Sequence, residues 1–123
     1  MMEAADAAVP RITPEEAKTM IAQENTLVID VRETPELVRS GKIAGAVHVS
    51  CGELELRADP ETPYYDKSFD KNKRIILYCS AGERSALSGK LLKEMGYNNV
   101  YNLGCFKDWV ESGGSVETVD PGI

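Results

Sequence analysis

Cys79 and Arg84 are separated by four residues, Ser80-Ala81-Gly82-Glu83, and Ser85 follows. An apolar run, Arg74 to Tyr78, leads into this stretch, and a helix-like run, Ala86 to Met95, leads out of it. The pattern reads as strand, tight turn and helix with a cysteine at the hinge. A cysteine just before a helix start meets backbone N–H groups that have no partner inside the helix. It also meets the positive end of the helix dipole. Both favour the thiolate, which is the nucleophilic form of the side chain. The N–H groups from Ser80 through Ala81 to Ser85 can form an anion-binding nest, and Gly82 supplies backbone freedom there. Arg84 adds a fixed positive charge, either to hold the loop or to meet a substrate oxyanion. Ser85 could cap the helix or offer its hydroxyl to the anion. Glu83 opposes a bound dianion by about 1 kcal/mol if it lies close by in water. That opposition vanishes if Glu83 turns to solvent.

Other residues could do chemistry. Thr26-Leu27-Val28-Ile29-Asp30-Val31 is a short apolar run with a carboxylate near its end, as in a strand buried on both faces. In a parallel sheet the C-terminal strand ends face the ligand crevice. Asp30 and Arg32 are therefore candidates for supporting the site, or for a structural ion pair. His48 is the single histidine and reads as structural. Three cysteines, Cys51, Cys79 and Cys105, are widely spaced, with no CxxC and no Cys/His cluster. Neither a zinc site nor a disulfide scaffold is expected. Cys105 could act as a resolving thiol for Cys79 or as a small buried hydrophobe.

The elements that must position the loop follow in order. Thr13-Pro14-Glu15-Glu16 opens a helix with capping-box spacing, after a short strand at Arg11-Ile12. Thr34-Pro35-Glu36 opens another, which should stop at Gly41. Ala44 to Val49 reads as a strand, Cys51 to Asp59 as a short helix, and Pro60 to Phe69 as a surface loop. Lys73 to Tyr78 is the strand before the loop. Ala86, Leu87, Leu91, Leu92 and Met95 form an apolar stripe on the following helix, with Ser88, Lys90, Lys93 and Glu94 outward. Asn99 to Leu103 is a last strand and Phe106 to Glu111 a last helix, with Trp109 in the core. Helices and strands alternate on short connections. That predicts an α/β fold, a small parallel sheet of about five strands flanked by helices on both faces.

The chain has 123 residues, 42% of them hydrophobic. That suits one domain able to bury its own core. Residues 1–10 read as a loose tail, 11–112 as the domain and 113–123 as a flexible tail. The net charge of −6 argues against nucleic acid or anionic membrane as a partner. No secretory signal or membrane span is visible. A reduced, cytoplasmic monomer without metal or cofactor is expected.

The stretch CSAGERS, Cys79 to Ser85, resembles the active-site loop of the rhodanese family, Cys-x-x-Gly-x-Arg-Ser/Thr. Ile29-Asp30-Val31-Arg32-Glu33, followed by Gly41 to Val49, resembles the family's DVR…GHIPGA region. Leu103 to Trp109 resembles its GG…W element. The resemblance covers roughly residues 11 to 112. The chain departs from the pattern at Lys42, Ala44 and Cys105, where the family often has His, Pro and Gly. The resemblance implies a thiosulfate sulfurtransferase. Cys79 would take a sulfane sulfur from thiosulfate or a related donor as a persulfide, then pass it to cyanide, a thiol or a sulfur-acceptor protein. Two rivals remain. One is a non-catalytic partner-binding or sulfur-carrier module of this kind. The other is an arsenate reductase or phosphatase of the same fold. Those resemble His-Cys-x5-Arg, a loop longer by one residue, whereas Tyr78 precedes Cys79 here.

Overall fold

A computed structural model describes residues 8–23 and 25–120. The elements in chain order are α1 (Pro14–Ala22), β1 (Thr26–Asp30), α2 (Thr34–Ser40), β2 (Lys42–Ile43), β3 (Val47–His48), α3 (Leu54–Ala58), β4 (Arg74–Cys79), α4 (Glu83–Glu94), β5 (Val100–Cys105), α5 (Phe106–Glu111) and β6 (Val116–Glu117). Four strands form a parallel sheet in the order β3-β1-β4-β5. The expected strand at Arg11 is a single bridge to Asn102 on the outer edge of β5. It falls short of a full fifth strand.

Alternation along the central strands sends side chains to two cores, one on each face. Leu27, Ile29, Ile75, Leu77 and Cys79 face α3 and α4, where they meet Leu54, Ala58 and Leu92. Val28, Ile76 and Tyr78 face α1 and α5, where they meet Ala17, Phe106 and Trp109. Each fully buried Leu or Ile stabilises the fold by roughly 1.5–3 kcal/mol. Thr13 caps α1, its hydroxyl accepting from Glu16 N at 3.1 Å while Glu16 Oε1 accepts from Thr13 N at 2.9 Å. That is the expected capping box. α2 stops at Gly41 as expected, but its cap is Glu33 rather than Thr34.

Four expectations need correcting. The strand expected over Ala44 to Val49 shrinks to Val47–His48. The stripe on α4 holds in part: Ala86 and Leu92 are buried and Leu91 and Met95 pack against the core, but Leu87 is exposed, and Ser88, expected outward, is buried with Ser85 and Gly89. The helix lies so close to the N-terminal segment that a Cβ on Gly89 would come within 2.8 Å of Val9. Small residues as well as large ones mark its inner face. The segment after Gly113 is not free throughout. Ile43 pairs antiparallel with Val116 and Lys42 with Glu117, and Glu117 Oε1 accepts from Lys42 Nζ at 2.7 Å and Gly45 N at 2.6 Å. Val9, expected in the leading tail, is buried, while residues 1–7 and Pro121-Gly122 lie outside the described residues. No helix among the described residues is long and apolar enough to cross a membrane.

Candidate active site

β4 delivers Cys79 to the C-terminal edge of the sheet, with β1 on one side and β5 on the other. The chain then turns through Ser80 and Ala81 to Gly82, whose φ of +99° is a conformation only glycine adopts readily. Gly82 is the N-cap of α4. This turn aims its backbone inward, and Gly82 N–H donates to Cys79 Sγ at 3.0 Å. Ser85 Oγ lies 3.4 Å from the same sulfur. Ser85 is therefore not the cap. It sits inside the first helical turn, beneath the thiol.

Burial pushes the Cys79 thiol up. The Ser85 hydroxyl and the backbone N–H groups of Ser85, Gly82 and Ala81 pull it down more strongly, and the net displacement is below the ordinary cysteine value. Of the N–H groups from Ser80 to Ser85, Gly82 N–H makes the hydrogen bond to the sulfur. Cys79 is only 1% exposed, so a reactant must reach it with a small group, end on.

Ser85 is itself held by a residue that the sequence did not reveal. Its hydroxyl donates to Asn102 Oδ1 at 2.7 Å, and Asn102 Nδ2 donates to Gly82 O at 3.2 Å. Asn102 is a polar residue in β5, buried with its amide facing the loop.

Arg84 is engaged. Nη1 donates to Glu36 Oε1 at 2.7 Å and Nη2 to Glu36 Oε2 at 2.8 Å, a two-pronged pair. Ser80 Oγ bridges them, accepting from Arg84 Nη2 at 2.7 Å and donating to Glu36 Oε2 at 2.9 Å. The Arg84 guanidinium beside it is the main cause that holds the Glu36 carboxyl at about 2. Of the two roles left open for Arg84, the structure displays the loop-bracing one. Glu83 is exposed, as its solvent-facing alternative required.

Asp30 and Arg32 form a buried ion pair outside the loop. Arg32 Nη2 donates to Asp30 Oδ2 at 2.7 Å and Nε to Oδ1 at 3.0 Å. The same guanidinium donates to Ser40 Oγ and Gly41 O, each at 2.8 Å, and lies over the Phe106 ring at 4.3 Å. The pair thus ties the end of β1 to the end of α2, the helix that carries Glu36. His48 Nε2 is 2.6 Å from Arg32 O, which makes it structural, as read.

Cys105 is the strand partner of Cys79 in β5, yet its sulfur faces Arg11, whose Nη2 lies 3.8 Å away. The Arg11 guanidinium rests on Gly104, at φ +89°, and beside Gly82. Cys51 lies across Arg84, in a shallow cavity with Leu87, Ser88 and Leu91. All three cysteines therefore sit near the C-terminal ends of the strands. Glu36, Asn102 and Arg11 are the site residues missed. In the sequence Glu36 reads only as part of a helix opening, and its contact with Arg84 across 48 residues leaves no local signal.

The Rhodanese-like domain family matches residues 13–112. The thiosulfate sulfurtransferase GlpE of Actinobacillus succinogenes is 33% identical over 90% of this chain and 93% of its own length. Other relatives are longer. The chain spans 51% of YrkF of Bacillus subtilis, whose name proposes a sulfur-carrier role (30% identity over 82% of this chain). It spans 33% of a tRNA uridine(34) hydroxylase of Wolbachia (35% identity over 75% of this chain). Among solved structures, RPA3614 of Rhodopseudomonas palustris CGA009, a protein of unknown function and possible tyrosine phosphatase, superposes with a TM-score of 0.87 at 31% identity. That match covers 94% of this chain and 90% of that one. The polysulfide-sulfur transferase of Wolinella succinogenes superposes with a TM-score of 0.77 at 30% identity, covering 98% and 86%. The family match over residues 13–112 and the 33% identity to a relative over nine tenths of both chains place this chain in the rhodanese family.

Proposed function

We propose that the chain is a sulfurtransferase that carries a sulfane sulfur as a persulfide on Cys79. The observation that carries the reading is the Gly82 N–H held 3.0 Å from a buried sulfur whose pKa lies below the ordinary value. The Cys79 thiolate would attack the outer sulfur of a donor such as thiosulfate. A new S–S bond forms as the donor's own S–S bond breaks, and sulfite leaves with that electron pair. The charged outer sulfur of the persulfide would then meet the N–H groups of the turn, which stabilise an anion without any proton transfer. A thiol or cyanide takes that sulfur and returns the Cys79 thiolate.

Treatment with thiosulfate, followed by intact mass measurement, tests this. The expected result is a gain of one sulfur atom, removed by cyanide as thiocyanate and missing in Cys79→Ser. No adduct with any sulfane donor would end the sulfur reading. The likeness to RPA3614 favours a second reading, phosphate ester hydrolysis. It requires turnover of an aryl phosphate that depends on Cys79. The engaged state of Arg84 weighs against it, because a phosphoryl group needs that guanidinium free.

A further inference from the structure

We propose that Glu36 selects the sulfur donor by charge: clamped on Arg84, it turns the loop toward singly charged sulfane-sulfur donors and away from the thiosulfate dianion. This rests on the sulfurtransferase reading above and adds the donor class to it.

The clamp is complete. Both Glu36 oxygens bind Arg84, Oε2 also accepts from Ser80, and Oε1 also accepts from Glu33 N at 3.0 Å. Glu36 is thus fixed from its own helix and from the loop. The two Arg84 nitrogens that a sulfonate would grip are the two that Glu36 grips. Glu83 adds an exposed negative charge one residue from Arg84. Another cation beside the turn, Arg11, lies on the β5 side, against Gly82 and Gly104 and toward Cys105. Arg84 and Arg11 are balanced by Glu36 and Glu83, and the two further cations that line the cavity beside Ser80, Arg32 and Lys107, are paired with Asp30 and Glu111, so the groups around the turn carry no net charge. What remains to bind an anion is a set of N–H dipoles, and these suit a single negative charge on sulfur.

The chemistry is the same for both donor classes. Thiosulfate gives up its outer sulfur to the Cys79 thiolate and leaves as sulfite. An alkanethiosulfonate gives up the same sulfur and leaves as the sulfinate, with one charge fewer throughout. Removing the charge of Glu36 adds one unit of positive charge near the sulfur, and a dianion feels twice the change that a monoanion feels. For charges about 8 Å apart in a water-like dielectric, kcat/KM rises about fivefold for the dianion and about twofold for the monoanion.

The test measures kcat and KM with thiosulfate and with methanethiosulfonate, cyanide being the acceptor. It uses the wild-type chain, Glu36→Gln, Glu36→Asp and Glu83→Gln. The wild type is expected to prefer methanethiosulfonate. Glu36→Gln should move the ratio toward thiosulfate by about two- to threefold, through KM more than kcat and less so in high salt. Glu36→Asp should keep the wild-type ratio. Glu83→Gln should shift the ratio in the same direction with the clamp intact, which keeps the idea testable if Glu36→Gln does not fold. A wild-type preference for thiosulfate, or equal losses with both donors in Glu36→Gln, would overturn donor selection and leave sulfur transfer standing. No transfer from either donor by the wild type would overturn both.

Discussion

Replacing Ser85 with alanine removes the hydroxyl 3.4 Å from the Cys79 sulfur and leaves the backbone donors in place. Hydrogen bonds to a charged group are worth about 1.5–3 kcal/mol. A contact of this length to sulfur belongs at the low end. One pKa unit corresponds to about 1.4 kcal/mol, so the thiol should titrate about one unit higher in Ser85→Ala. At any pH below the wild-type inflection the thiolate fraction then falls about tenfold. Alkylation by iodoacetamide, followed by intact mass across pH, reads this directly. Sulfur transfer near neutral pH should fall with it and recover as pH is raised past the new inflection. Asn102 supplies a test of opposite sign. Its Oδ1 holds the Ser85 hydroxyl at 2.7 Å and so competes with the sulfur for one proton. Asn102→Ala releases that proton to the thiolate, and the inflection should move down. An unmoved inflection in both variants would show that the hydroxyl does not donate to the sulfur even without Asn102, its proton resting on Gly82 O 3.2 Å away, and that the backbone N–H groups do all the work.

The remaining predictions concern the frame around the thiol. Asp30→Ala leaves Arg32 buried without its carboxylate and should cost about 3–5 kcal/mol in urea denaturation, while Cys79 alkylation of the still-folded fraction stays near wild type. Glu36 has its carboxyl held at about 2 against an ordinary value of 4.5. Its contribution to stability is complete above pH 4.5 and fades as pH falls toward 2. The stability gap between wild type and Glu36→Gln should therefore close over that interval. Gly104→Ala forces a side chain into a positive-φ position where its Cβ meets the Arg11 guanidinium. The guanidinium can swing away, so the cost should be the backbone strain alone, about 1–2 kcal/mol by denaturation. Cys105→Ala should leave turnover within about twofold of wild type, because its sulfur faces Arg11 rather than Cys79.

The alternation of elements and the loop itself were legible in the sequence because each rests on local signals. Thr13 with Glu16 announces a helix start, Gly41 a stop, and the apolar run before Cys79 a buried strand. The site's supports were not legible, since each joins distant segments. Arg84 finds Glu36 across 48 residues, and Ser85 finds Asn102 across 17. The misread face of α4 has a different cause. Close approach selects Ser88 and Gly89 for smallness, while a reading by hydrophobicity rewards Leu87. Val116 and Glu117 read as tail because a two-residue strand carries no periodicity. Only the return to Lys42 and Ile43 gives it form.

Cys79 ends a strand that is paired along both edges and buried on both faces. Amides of such a strand exchange with solvent only through the largest openings of a domain. The reactive sulfur thus belongs to the segment expected to let go last, not to a mobile rim. Variants that loosen α1 or the β2–β6 pair should lower the midpoint of unfolding while each folded molecule keeps its full reactivity. The order should be visible in exchange measurements, with Tyr78 and Leu77 protected long after Ala44, which donates to Ser115 O beside the β2–β6 pair, has exchanged.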